Sequence, residues 1–271
     1  MSLIIPEDLP ECIDKPIEQA LTPIATNVGK TFGDLWFLAM GAISQCAEKR
    51  KIKYAAELEK FKKSVEEKTK AIPLENRVEP NPQVVCQALE DAKYCLEDEN
   101  IREMFANLVA SAMNSSTLEE VHPSFSSIIK QMSPLESRIF VRLEPRKTYP
   151  ICELYSLKNN IWSGLFTNVL LADNEVINLI DLRIRSVAIT SLNRLGLLYL
   201  SYDQKAESSL YSRYLQNNAF IYLTKHYEKL GETVDIKRGI VGLNPFGQDL
   251  WTTCCKDIKP ETIDDFPQSF L

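Results

Sequence analysis

Three helix start signals in the segment Asn81–Leu143 constrain the fold of this chain more strongly than any other feature. Asn81, Asp98 and Ser133 each offer a side-chain oxygen that can accept a hydrogen bond from the first turn of a helix. Proline follows Asn81 and Ser133, at the helical position that tolerates it, and Glu136 completes a capping box with Ser133. The segment therefore predicts three helices that begin at these residues.

Two apolar stripes indicate how the helices pack. The first lies between Asp98 and Met113 and occupies one face of a helix: Ile101, Phe105, Leu108, Val109 and Ala112. The second follows a long charged helix predicted for Glu48–Ile72: Tyr54, Leu58, Phe61, Val65 and Ile72. The second stripe is narrow, which suits packing against one partner helix in the same chain or in a second copy.

Glycine is scarce, with 9 residues against a hydrophobic fraction of 45%. This composition favours long helices over a turn-rich all-β fold, so we predict a mainly α protein. The chain divides into four predicted parts. They are a Pro-rich N-terminal arm at 1–28, a helical domain with a long amphipathic helix and a helical hairpin at 29–132, a winged-helix-like domain at 133–255, and an acidic tail at 256–271.

The predicted winged-helix-like domain is an α/β module with an inserted helix. Its elements are a helix at Pro134–Leu143, a linker through Pro145 and Pro150, an apolar segment compatible with a helix at Ile161–Leu171, a helix ending at Gly196, strands at Leu197–Leu200 and Gly239–Leu243, and a last helix opened by Asn244 and Pro245. Gly196 suits the left-handed position that follows a helix. Between the two strands, the insertion Ser201–Arg238 contains a helix predicted for Leu210–Tyr227.

Several short segments of the chain together form a signature that resembles a known family. They read DENIREMFANLVASAM at 98–113, HPSF at 122–125, IIKQMSPLE at 128–136, LNRLGLL at 192–198 and LNPFG at 243–247, followed by Cys254 and preceded upstream by Gly29–Lys30 and residues 33–35. Together they resemble the abortive infection alpha family of bacterial proteins from about Gly29 to Cys255. The positions that carry the resemblance are Asn107, His122, Pro123, Phe125, Ser133, Pro134, Leu135, Gly196 and Gly247. The resemblance implies a role in defence against phage, by killing or arresting the infected cell, and carries over no catalytic residue.

The helix before Gly196 is the segment that would read DNA if the domain were a DNA-binding module. Its candidate contacts to DNA or to a protein partner are Arg183, Arg185, Ser186, Asn193 and Arg194. The net charge of −6 comes entirely from residues before Ser133, and the second half is neutral. DNA binding usually needs a basic surface, so we favour protein contact over DNA here.

Catalytic, cofactor and metal sites are not predicted. Asn27–Thr31 resembles the end of a phosphate-binding loop, but Ile24 stands where the loop needs its first glycine. His122 has no ligand spacing to His226, and the Pro after it forces an extended backbone, so we expect it to close a turn before the next helix. We therefore lean against an enzyme.

The most apolar run, Leu35–Ile43, is too short to cross a bilayer, so we predict no membrane span. It reads as a core helix, or as an interfacial helix beside the basic run Lys49–Lys53. The odd number of 7 Cys and the absence of a visible secretory leader indicate free thiols and a cytoplasmic protein.

The sequence leaves three functional hypotheses. The first is a phage-defence protein that acts by binding a protein partner or by forming a homo-oligomer. The second is a DNA-binding regulator, which requires a basic face around Arg183–Arg194, and the third is a membrane-active effector, which requires Leu35–Ile43 to be exposed. A buried Trp36 together with a mixed-charge helix at Asn193 would leave only the first hypothesis.

Overall fold

The computed structural model describes Gly33, Leu35, Trp36, residues 48–171 and residues 178–259. The predicted N-terminal arm, the loop-like Asn27–Thr31 and the tail from residue 260 onward lie outside the described residues. The described part is helix-rich and mixed α/β, with a four-stranded antiparallel sheet.

The first half of the described chain is helical. Its helices are α1 (Glu48–Ala71), α2 (Pro82–Ala92), α3 (Glu99–Ser111), α4 (Phe125–Gln131) and α5 (Pro134–Arg142). All three predicted caps are confirmed, because Asn81, Asp98 and Ser133 accept hydrogen bonds from the first turns of α2, α3 and α5. Ser133 and Glu136 form the full capping box.

Helix α3 lies at the centre of this half, packed against α1, α2, α4 and α5. Its predicted apolar face is buried throughout, and so are Met104 and Ala106, which lie outside that face. The long charged helix is also confirmed as α1, whose Phe61 and Val65 are fully buried. Its partner helix is α3 of the same chain.

The second half combines a sheet with four helices. Its elements are β1 (Thr148–Lys158), β2 (Ile161–Val169), α6 (Leu179–Arg194), β3 (Leu198–Ser201), a 3-10 turn at Ser208–Tyr211, α7 (Ser212–Leu215), α8 (Asn218–Glu228), β4 (Thr233–Leu243) and α9 (Pro245–Cys254). The strand order is β2-β1-β4-β3. The predicted strand pair after Gly196 is confirmed, since Leu198 pairs with Leu243. Gly196 itself has a φ of 76°.

Three predictions for this half are wrong. The segment Ile161–Leu171 is not a helix, because its residues Ile161–Val169 form strand β2 of a hairpin with β1. The predicted linker through Pro145 and Pro150 ends earlier, because β1 begins at Thr148. The single helix Leu210–Tyr227 is broken at Asn217, whose side chain caps α8. The winged helix is not confirmed, because this hairpin lies between α5 and α6, where the prediction put a helix.

The sheet has a core on each face. The first core joins α1–α6 and α9 to strand residues such as Ile151 and Val241, and so includes residues on both sides of the predicted domain boundary at residue 132. The second joins Cys152 and Ile236 to residues of the α7–α8 insertion, such as Tyr214. The insertion therefore covers the face of the sheet that the helical half leaves open.

We predict that Gly247→Ala lowers the free energy of unfolding by about 2 kcal/mol, the usual cost of overpacking a tight contact. A Cβ at Gly247, in the first turn of α9, would overlap the backbone carbonyl oxygen of Leu197. Denaturant unfolding followed by circular dichroism measures the change. The control is Ser127→Ala, on the exposed surface of α4. Equal stability of the two variants would contradict the prediction.

Candidate functional site

Helix α6 carries a row of apolar side chains on its exposed surface. Ile180, Ile184 and Val187 are 60%, 47% and 59% exposed. Their spacing of four and three residues places them on one face of the helix. Single exposed apolar residues are common on proteins, but a contiguous row marks a candidate contact surface.

The row forms one wall of a groove whose other wall is the start of α5. The groove encloses about 460 Å³. It is lined by Ser133, Leu135, Glu136, Ile180, Arg183, Ile184, Val187 and Ala188. We call this surface the α5–α6 groove.

Local capping fixes both walls of the α5–α6 groove. Ser133 and Glu136 form the capping box of α5, and the Ser133 N–H donates to the Glu136 carboxylate at 2.6 Å. Asn178 and Asp181 form an equivalent box at the start of α6. Two helices that begin at defined residues hold the groove in a defined shape. Glu136 is engaged in its cap, which leaves the exposed Arg183 as a charged group on the rim.

The five candidate contact residues on α6 are not equivalent. Arg183, Asn193 and Arg194 are exposed, whereas Arg185 is buried. The Ser186 hydroxyl donates to the Thr167 carbonyl of β2 at 2.5 Å, which ties α6 to the sheet. Of the five, Arg183 alone lines the α5–α6 groove.

Asn107 of the family-like signature holds the last helix against the central one. Its side-chain amide is buried and donates to the Cys254 carbonyl at 2.8 Å. One turn later, the Ser111 hydroxyl donates to the Thr253 carbonyl at 2.8 Å. These two bonds satisfy carbonyls at the end of α9, where the helix has no backbone donors of its own. We call this contact the α3–α9 latch.

The HPSF segment contacts the opposite end of α9. The rings of His122 and Phe125 lie 5.4 Å and 5.3 Å from that of Phe246, centroid to centroid. The Ser124 backbone N–H donates to Nδ1 of His122 at 3.2 Å. His122 therefore closes the turn before α4, as the sequence predicts. Pro123 lies in the same turn and is exposed.

The remaining signature positions divide between the groove and the packing of α9. Ser133, Pro134 and Leu135 start α5, and Leu135 lines the groove. Gly247 has no side chain and therefore lets α9 approach the Leu197 carbonyl. Gly196, directly before Leu197, adopts the left-handed conformation that ends α6.

The apolar residues Ile184, Val187, Ala188 and Leu192 predict the helix that ends at Gly196, but the sequence does not show which of them face solvent. The structure buries Ala188 and Leu192 and exposes the other two. The spacing of Ile180, Ile184 and Val187 was visible in the sequence, but nothing local showed that this stripe faces solvent.

The described cysteines are free thiols, three of them buried: Cys152, Cys254 and Cys255. Burial raises the pKa of the Cys254 thiol to about 12, and it raises that of Cys255 well above its ordinary value. These thiols stay protonated at neutral pH and behave as small apolar groups. Cys86 and Cys95 are only partly buried. Among the described residues, no cluster of three or more His, Cys, Asp or Glu is arranged to hold a metal ion.

Leu35 and Trp36 are the two residues of the apolar run Leu35–Ile43 that the structure describes. Both are partly buried against the first core, and the Trp36 ring lies 5.7 Å from that of Phe61. No helix in the described ranges has the length and apolar character to span a bilayer.

A family model described as abortive infection alpha matches residues 53–254. No curated protein matches the chain. Among solved structures, an uncharacterized protein from the hydrocarbon-degrading marine bacterium Alcanivorax borkumensis SK2 is 19% identical, over 51% of this chain and 94% of that one. The TM-score between the two structures is 0.30.

We predict that Asn107→Ala raises the alkylation rate of Cys254 and Cys255 about tenfold. Loss of the buried hydrogen bond leaves the Cys254 carbonyl unpaired. This destabilises the closed position of α9 by about 1.4 kcal/mol, which increases the population of the locally opened state tenfold. Mass spectrometry after timed exposure of the native protein to iodoacetamide measures labelling at each thiol. Cys152 lies in the second core and should label no faster.

The control is Ser127→Ala, on the exposed surface of α4. Unchanged protection of Cys254 and Cys255 in Asn107→Ala, or an equal increase at all three buried thiols, would contradict the α3–α9 latch.

Proposed function

We propose that this chain, which belongs to the abortive infection alpha family, defends bacteria against phage by binding a protein partner in the α5–α6 groove. The observation that carries the proposal is the exposed row Ile180, Ile184 and Val187 along that groove. The family supplies the biological setting, and the groove supplies the means of contact.

The chemistry of the groove favours an apolar protein segment as its occupant. Full burial of an Ile or Val side chain contributes about 1.5–3 kcal/mol, so covering the row would supply much of the affinity of a specific complex. A partner helix with apolar residues at steps of three and four would match the row. Arg183 on the rim would favour an acidic residue beside those apolar ones.

Phage defence by this route requires that occupancy of the groove depends on infection. In the proposal, the second half of the chain senses a phage component or a host protein altered by infection, and the helical first half carries the response, alone or within an oligomer. The proposed setting is the cytoplasm, where free thiols such as Cys254 and Cys255 remain reduced.

The α6 surface supports protein contact better than DNA reading. The buried Arg185 would not reach a base edge, and the apolar row occupies the face beside Arg183. DNA contact through Arg183, Asn193 and Arg194 remains the less favoured hypothesis. The partial burial of Leu35 and Trp36 against the core also supports a protein-binding role over a membrane-active one.

We predict that Ile184→Glu abolishes phage defence while the protein stays folded. The partner's apolar segment would cover the introduced carboxylate and remove its water. Burial of this charge among apolar side chains would cost more free energy than the other contacts of the complex supply. The measurement is phage plating efficiency, with host survival at high and low phage dose, in cells that carry the variant, the wild type or neither.

The matched control is Asn193→Glu, which adds the same charge at an exposed position of α6 outside the groove. Wild-type and Asn193→Glu cells should give fewer plaques with death of infected cells, and Ile184→Glu should plate like cells without the protein. Loss of defence in Asn193→Glu with full defence in Ile184→Glu would favour DNA reading and overturn the groove.

A further inference from the structure

Strand β2 is an edge of the sheet, and the residues that the structure describes cover only part of that edge. Helix α6 covers its C-terminal part, where Ser186 binds the Thr167 carbonyl and Asn168 donates to the Thr190 hydroxyl at 3.1 Å. The N-terminal part, Ile161–Gly164, is exposed at every residue. Ile161 and Trp162 are 68% and 61% exposed. The open edge is this four-residue stretch.

The open edge contains neither Lys nor Pro, two residues that commonly keep edge strands from pairing. The irregular pairing of β2 with β1 begins beyond Gly164, outside the open edge. Here no charged residue and no Pro occur between Lys158 and Asp173, although 25% of the chain is charged.

The backbone of the open edge presents donors and acceptors to solvent. Asn159 and Asn160, with φ of 51° and 63°, form the two-residue turn that joins β1 to β2. Lys158 and Ile161 flank such a turn as a hydrogen-bonded pair, and these pairs alternate along an antiparallel ladder. Ile161 and Ser163 therefore bond to β1. The N–H and C=O groups of Trp162 and Gly164 point away from the sheet.

We propose that the open edge pairs with the same edge of a second copy of this chain, antiparallel, about a two-fold axis at Ser163. The two sheets would then form one continuous eight-stranded sheet. In this register Trp162 exchanges two backbone hydrogen bonds with the partner subunit's Gly164, and Gly164 exchanges two with the partner subunit's Trp162. The contact is isologous, as a closed dimer requires.

Side chains fit this register. Trp162 is large and Gly164 has no side chain, and each lies opposite the other across the axis. A Cβ at Gly164 would meet nothing within 4 Å, so the space beside it is open to the partner's indole ring. The Trp162 ring already contacts Tyr155 of β1, with centroids 4.1 Å apart, which fixes it over this face of the sheet. Aromatic residues beside a strand glycine are a recognised way to stabilise pairing.

Charge also favours a second copy as the occupant. Pairing a strand with itself brings identical residues close together, so any charge on the edge would face a like charge. The uncharged stretch after Lys158 avoids that repulsion along the whole pairing region.

This inference extends the proposed function, which allows an oligomer, but it rests on the sheet edge and not on the α5–α6 groove. Purified protein without phage tests it. Failure of the dimer would leave the plating result with Ile184→Glu unchanged, and failure of the groove variant to affect defence would leave the dimer unchanged.

Sedimentation velocity of the full-length chain over a range of concentrations tests the pairing. The wild type should sediment as a dimer, and Ser163→Lys should weaken dimerisation about a hundredfold, because two Lys residues would face each other across the axis. Ser127→Lys adds the same charge on the exposed surface of α4 and should remain a dimer. A wild type that stays monomeric at all concentrations overturns the proposal, and so does a dimer that Ser163→Lys leaves unchanged.

A second variant keeps the test independent of any loss of folding in Ser163→Lys. Residues that face each other without hydrogen bonds in antiparallel strands lie about 4.5 Å apart at Cα, close enough for a disulfide. Ser163→Cys should therefore form a covalent dimer under mild oxidation on a non-reducing gel, and Ser127→Cys should not. Equal cross-linking of the two variants would also overturn the assigned edge.

Discussion

The burial of helix α3 is the constraint on which the rest of the described structure depends. The helix is covered by α1, α2, α4, α5 and α9, and it buries polar as well as apolar residues. Arg102 donates to the Glu57 carboxylate of α1 at 2.6 Å and to the Leu96 carbonyl at 3.0 Å, and Asn107 donates to the end of α9. A buried polar group needs its partner in one position, so these bonds fix the register of α1 and α9 against α3.

The candidate surfaces are consequences of that packing. Because α9 is held by α3 at one end and by Leu197 at the other, it connects the helical half to the strand end of β4. Helix α5 contacts α3 and α6 contacts α5, which brings their two capped ends together as the α5–α6 groove. Most of the family signature maintains this arrangement, and Leu135 is the signature residue that also reaches the groove.

Local chemistry predicted the first half well and the second half less well. Helix caps and apolar stripes depend on residues that are close in sequence, so they can be recognised without the structure. This holds for the caps at Asn81, Asp98 and Ser133 and for the apolar stripe of α1. The sequence did not predict the β1–β2 hairpin, because its turn is Asn-Asn in place of the usual Asn-Gly. In addition, the short uncharged run of β2 has no hydrophobic periodicity that distinguishes a strand from a helix. The sequence did not predict the groove for a different reason. Whether Ile184 faces the core or solvent depends on where α5 packs, which is a tertiary contact.

The proposed role of the α5–α6 groove is to contact a protein during infection. Its most direct test is a photo-reactive amino acid placed at Ile184, with exposed Tyr222 of α8 as the reference position, followed by irradiation of living cells before and after phage is added. We expect one defined cross-linked protein at position 184, which forms only after infection, and none at position 222. Cross-linking that is identical at both positions, or that infection does not change, would contradict it.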